Sequence, residues 1–132
     1  MKTQKKPRKQ RAGKTALVVD DNPLIRRLIV DTLLGGGFGV CVEASNGKEA
    51  LALARKFKPH IITLDLSMPV MNGLEAASNL RKILPKTPII LITMHADTLS
   101  DHEVSKAGIS LVLSKTDSLS TLVQKARKLM RS

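Results

Sequence analysis

Apolar residues gather in five short runs, and longer stretches with a helical rhythm lie between them. The runs are Ala16–Asp20, Val40–Ala44, Ile61–Asp65, Ile89–Thr93 and Leu111–Lys115. Each is continuous rather than alternating in polarity, the pattern of parallel strands covered on both faces. The stretches between them carry readable helix starts. Asn22 offers a capping side chain just before Pro23, and proline suits the first helical position because no acceptor waits for an N–H there. Asn46, Asn72 and Ser100 each stand three residues before a glutamate (Glu49, Glu75, Glu103), the spacing of a capping box. Stops are supplied by Gly35-Gly36-Gly37, Pro59, Pro85 and Gly108. A last helix over Ser118–Met130 shows one apolar stripe of Leu119, Leu122, Val123, Ala126, Leu129 and Met130.

Five strand–helix units in strict alternation predict an α/β fold with a parallel sheet and right-handed crossovers. The expected form is a five-stranded, doubly wound, flavodoxin-like sheet of order 2-1-3-4-5, reversing between the first and third strands. The carboxyl ends of such strands share one edge, where ligands bind. What stands at those ends is polar: Asp20 and Asp21 after the first run, Asp65 at the third, Thr93 at the fourth, Lys115 at the fifth. Three carboxylates gathered there repel and raise each other's pKa unless a cation intervenes. Mg2+ suits the place, because it prefers carboxylates, water and phosphate oxygens. Lys115 adds a point charge and Thr93 a hydroxyl donor for a phosphate oxygen. Singly, each has a plainer reading: an Asp pair as turn and helix cap, Lys115 as a solvated strand end. Their recurrence at four strand ends favours a site.

Composition narrows the picture further. A chain of 132 residues fits one domain, and 42% hydrophobic residues suffice for its core. With two Phe and no Tyr or Trp, that core is aliphatic. No apolar run approaches the ~20 residues of a membrane span, and no apolar segment follows the basic N-terminus as a secretory signal requires. The lone Cys41 reads as a small buried hydrophobe, and a reducing cytoplasm is the expected compartment. The net charge of +11 is uneven. Residues 1–14 carry seven cations and no acid, while 15 basic and 11 acidic residues follow. The expected organisation is therefore a basic, disordered tail over 1–14 and a folded domain over 15–132. A nucleic-acid-binding module built from the tail and from Lys125, Arg127, Lys128 and Arg131 is the competing reading. Cations at a helix C-terminus are better explained as complements to the helix dipole, and there are no aromatic platforms for stacked bases. Met68, Met71 and Met94 read as packing residues, since a thioether is too soft for Mg2+. His60, His95 and His102 lack metal-ligand spacing; His60 is expected before a strand and His102 on an exposed helix.

Taken together, Leu17-Val18-Val19-Asp20-Asp21, Asp65-Leu66-Ser67-Met68-Pro69-Val70-Met71-Asn72-Gly73-Leu74-Glu75, Ile92-Thr93-Met94-His95-Ala96 and Leu113-Ser114-Lys115 resemble the response-regulator receiver family over about Thr15–Met130. The segment from Asp65 is the most specific, and the flavour is that of receivers in LuxR-type two-component regulators. The resemblance implies that Asp65 takes the phosphoryl group and also binds Mg2+. Asp21 would bind the metal directly, Asp20 directly or through water, and Ser67 through its backbone carbonyl. Thr93 and Lys115 would contact the phosphoryl oxygens. His95, two residues beyond Thr93, reads either as a solvent-exposed loop histidine or as one that influences the water attacking in dephosphorylation, the former being the plainer reading. A histidine kinase or histidine phosphotransfer protein would be the donor. The domain's own chemistry would be limited to self-phosphorylation and self-dephosphorylation, because a carboxylate is a phosphoryl nucleophile. Roughly 1.5 to 2 added negative charges would bias the surface of the fourth helix, fifth strand and fifth helix toward a downstream effector or a homodimer.

Two departures bear on that output. Val112 stands where many receivers carry an aromatic residue, so an inward-swinging ring is not the switch. Thr116 replaces the proline that often follows the lysine; a cis bond without proline costs about 3 kcal/mol, so a trans bond and an altered loop are expected. Two rival chemistries fit less well. A haloacid-dehalogenase-type phosphohydrolase needs an acid at position 67, which is Ser, and room for a cap domain. A flavin binder needs a phosphate loop where Asp20 and Asp21 would repel the phosphate. The chain ends at Ser132 without a helix-turn-helix, so a stand-alone receiver and an excised one are both open.

Overall fold

The computed structural model describes residues 13–68, 70–94, 96–115 and 119–131, apart from the Asp97 side chain. Five strands, β1 (Thr15–Val19), β2 (Val40–Ala44), β3 (Ile61–Asp65), β4 (Ile89–Thr93) and β5 (Leu111–Ser114), alternate with helices. These are α1 (Pro23–Gly35), α2 (Gly47–Phe57), α3 (Gly73–Ile83), α4 (Asp101–Lys106) and α5 (Ser120–Met130). All strands are parallel, as the alternation predicts, and they lie in the order expected for a flavodoxin-like sheet, β2-β1-β3-β4-β5.

The continuous apolar runs are explained by burial on both faces. Leu17 and Val19 of β1 point with Leu64 and Leu91 toward Ala50, Ala54, Ala76, Ala77 and Leu80 of α2 and α3. Ala16 and Val18 point the other way, with Ile61, Ile90 and Ile92, toward Ile29, Val30 and Leu33 of α1 and Leu122 and Ala126 of α5. The small alanines let the helices approach the sheet closely. Cys41 packs half-buried against this second layer, and burial, with Glu43 adding, pushes its thiol up to about 12.

Helix starts follow the local code. Asn22 accepts from the Leu24 and Ile25 amides, Asn46 from Glu49 and Asn72 from Glu75. Among the described residues, only Ser100 and Glu103 form a full capping box; Glu49 instead reaches back one residue further, to the Ser45 amide at 2.6 Å. α5 starts at Ser120, and its cap Leu119 makes no side-chain bond; Ser118, the expected start, lies outside the described residues. Arg81 supplies a tie that the pattern did not suggest. Its guanidinium donates to the carbonyls of Leu84, Pro85 and Thr87 and, at 2.7 Å, to that of Gly108. It thereby joins the end of α3 to the corner between α4 and β5. Among the described residues, no helix is long and apolar enough to cross a membrane.

A candidate carboxylate and phosphate site at the carboxyl edge of the sheet

The topological reversal brings β1 and β3 side by side, and with them the acids at their ends. Asp65 closes β3, while Asp20 and Asp21 stand just past β1. Asp20 is 1% exposed and Asp65 5%, whereas Asp21 faces solvent. One carboxylate oxygen from each lies within 4.8 Å of the others. Lys115 reaches in from the end of β5, with its Nζ 3.1 Å from Asp20 Oδ2 and 3.2 Å from Asp65 Oδ1. The turn that carries Lys115 is held by its amide, which donates to the Thr93 carbonyl at 2.8 Å. Thr93, buried at the end of β4, completes the group. A cleft of about 250 Å3 opens here, lined by Asp21, Asn22, Asp65, Ser67, Thr93, Met94 and Lys115.

The loop after Asp65 depends on one glycine. A Cβ on Gly73 would lie 2.7 Å from Leu66 Cα and would collide with the Asp65 carbonyl. Its absence lets the start of α3 sit against the end of β3, where the Gly73 amide donates to the Leu66 carbonyl at 2.8 Å. The turn between them is tight enough that Val70, a β-branched residue, takes φ 73° and is 82% exposed.

One ammonium does not satisfy three carboxylates. Burial raises the Asp65 pKa above its ordinary value, Asp20 and more weakly Asp21 add to this, and Lys115 only partly opposes it. Burial alone would lower Lys115, but Asp20 and Asp65 outweigh it and hold the ammonium charged. Asp20 Oδ1 accepts from the Asn22 amide at 2.9 Å. Its Oδ2 is buried and faces the Lys115 ammonium at 3.1 Å as an ion pair. Excess negative charge and a cluster of carboxylate oxygen donors within 4.8 Å of one another suit a hard divalent cation such as Mg2+.

Of the residues read from the sequence, Asp20, Asp21, Asp65, Ser67, Thr93 and Lys115 all meet here. His95 and Thr116 lie outside the described residues. Val112 is half-buried on β5, packed toward α3 and α4. His60 precedes β3 as expected, its Nδ1 accepting from the Thr15 amide at 3.0 Å, and His102 is exposed on α4. Met68 and Met71 pack against the core, but Met94 does not: just past the end of β4, it is 57% exposed and lines the cleft. Sequence reasoning missed Arg26, whose Nη1 donates to the Asp20 carbonyl at 2.9 Å.

Residues 16–127 match the model of the response regulator receiver domain. The chain belongs to that family. The chemotaxis protein CheY of Thermotoga maritima is 34% identical over 119 residues, covering 90% of this chain and 99% of that protein. The solved structure of the chemotaxis response regulator CheY4 of Vibrio cholerae superposes with a TM-score of 0.80 at 31% identity, covering 89% of this chain and 98% of that one. A receiver domain of a Pseudomonas aeruginosa sensor histidine kinase, solved with a magnesium ion coordinated in its active-site cleft, has a TM-score of 0.82 at 25% identity and coverages of 91% and 99%. Other relatives are longer. A protein-glutamate methylesterase/protein-glutamine glutaminase of Hahella chejuensis is 41% identical over 102 residues, but the receiver chain spans only 29% of its length. This chain is thus a receiver domain of the two-component response-regulator kind, a signalling module whose family binds Mg2+ at an acidic pocket and is phosphorylated by histidine kinases. The nucleic-acid reading of the basic residues finds no support in these likenesses.

Proposed function

We propose that Asp65 is the phospho-acceptor. The observation that carries this is a buried carboxylate at the end of a central strand, flanked by two further acids and an ammonium 3.2 Å away, on the floor of an open cleft. Asp65 Oδ attacks the phosphorus of a phosphohistidine or acyl phosphate donor. The P–N or P–O bond of the donor breaks, and the leaving group keeps its electron pair. Asp21 and Asp65, the Ser67 carbonyl, and Asp20 directly or through water would hold Mg2+, which supplies charge neutralisation on the transferring group. Thr93 and Lys115 take up the phosphoryl oxygens, with Lys115 exchanging a carboxylate contact for a phosphoryl one. Burial, with the neighbouring Asp20 charge adding, raises the Asp65 pKa and makes the ionised nucleophile scarcer, so the cationic partners serve ionisation as well as transfer.

A histidine kinase or histidine phosphotransfer protein is the donor. The output passes through α4, β5 and α5 to an effector or a second copy of the chain. His95 modulates the dephosphorylating water. The receiver occupies 15–132 and works in the cytoplasm, catalysing nothing beyond its own phosphorylation and dephosphorylation. Incubation with Mg2+ and acetyl phosphate, read by intact mass, is expected to give one phosphoryl adduct, suppressed by EDTA and missing in Asp65→Asn. A stable adduct in that variant would move the acceptor elsewhere.

A further inference from the structure

The acidic turn after β1 is clamped from several sides. The Asp20 amide donates to the Ala44 carbonyl at 3.1 Å, and the Asn22 amide donates to Asp20 Oδ1 at 2.9 Å. One clamp comes from a side chain beyond the turn: Arg26 Nη1 binds the Asp20 carbonyl at 2.9 Å. Arg26 is itself held, since its Nε donates to Glu43 Oε1 at 2.9 Å. Glu43 sits on the edge strand β2, one residue before its end, in register with Val18. Arg27 also leans on Glu43, at 3.8 Å, but it is 64% exposed and engages Asp31 as well; the Arg26 side chain is 19% exposed.

The Asp20 carbonyl belongs to the same planar peptide unit as the Asp21 amide. A guanidinium fixed to that oxygen therefore sets the orientation from which the Asp21 side chain leaves the backbone. Arg26 makes no side-chain contact with the acids themselves among its described bonds. We propose that Arg26, braced by Glu43, is a positioning residue that holds the Asp20–Asp21 peptide so that Asp21 faces the metal site. This rests on the assignment of Asp21 as a Mg2+ ligand.

Charge and positioning predict opposite signs. A fixed cation near a divalent-cation site opposes binding, so by Coulomb's law alone its removal tightens Mg2+. If Arg26 aims Asp21, its removal weakens Mg2+, on the order of tenfold as for other groups that orient metal ligands. The measurement is a MgCl2 titration followed by amide NMR shifts, because the chain has no Trp or Tyr to report by fluorescence. Arg26→Met is expected to bind Mg2+ about tenfold more weakly than the unaltered protein. Arg26→Lys, which keeps the charge but not the planar fork, is expected to lose roughly threefold or more. Affinity unchanged or tighter in Arg26→Met overturns the proposal. If Arg26→Met loses its folded amide spectrum, Arg26→Lys decides alone, and wild-type affinity in it overturns the proposal. Failure of the unaltered protein to bind Mg2+ would instead remove the metal-site assignment on which the proposal rests.

Discussion

At the level of single residues, Asp65 is a carboxyl whose surroundings disfavour its charge. Its folded-state pKa is raised, by burial first and by Asp20 next, despite the Lys115 ammonium 3.2 Å away. The sign for stability follows from proton linkage. Between the unfolded and folded pKa values the native state holds more protons than the unfolded chain, so this group's contribution to stability falls as pH rises through that window. Asp65→Asn cannot ionise. It is therefore expected to melt at a higher temperature than the unaltered protein at neutral pH, with the advantage shrinking below about pH 3, under the ordinary carboxylate range. Paired thermal melts at the two pH values check this; an equal difference at both would contradict the raised pKa. Lys58 presents a different kind of cost. It ends α2 in the left-handed region, at φ 46° and ψ 62°, where glycine is the usual occupant. Lys58→Gly should stabilise the fold by about 1 kcal/mol in urea melts.

At the level of elements, the site exists because loops of different strand–helix units are held at fixed distances from the sheet. The contact of α3 with the end of β3 is a close backbone approach. Gly73→Ala would push a methyl group into the Asp65 carbonyl and Leu66 Cα, both of them backbone and unable to yield as a side chain would. The expected cost is about 1–3 kcal/mol, together with slower phosphorylation by acetyl phosphate, since relief of the clash must shift the Asp65–Ser67 turn. A variant with full stability and unchanged rate would show that the turn is looser than its geometry implies. The caps of α1, α2 and α3 were legible from Asn22, Asn46 and Asn72 because a cap is a contact within three residues. The Arg26–Glu43 bond was not, because 17 residues separate its partners and nothing in the helical rhythm of α1 marks which arginine turns toward the acidic loop.

For the whole molecule, the sheet order puts three acids and one ammonium at a single edge, and a metal ion held there would couple its binding to folding. An ion bound by the native state but not by the unfolded chain stabilises by about 2.7 kcal/mol at a hundredfold excess over its Kd. Thermal unfolding in excess MgCl2 should therefore move to higher temperature, EDTA should reverse the shift, and Asp21→Asn should diminish it. Insensitivity to Mg2+ would argue against the acidic edge as a metal site.

The sequence by itself determined the five strand–helix units, the identity of the polar residues that close the strands, and most helix boundaries. Those signals are local: continuous apolar runs, a cap three residues from its partner, a glycine or proline at a stop. The meeting of Asp20 with Lys115, 3.1 Å apart across most of the chain's length, needed the parallel order β2-β1-β3-β4-β5 to bring their strand ends to one edge. Tertiary structure alone decided that Met94 would line the cleft rather than the core, and that Arg26 would bind the Asp20 carbonyl. Both depend on where a loop or helix face points once the sheet is covered, a direction that neither periodicity nor residue type specifies.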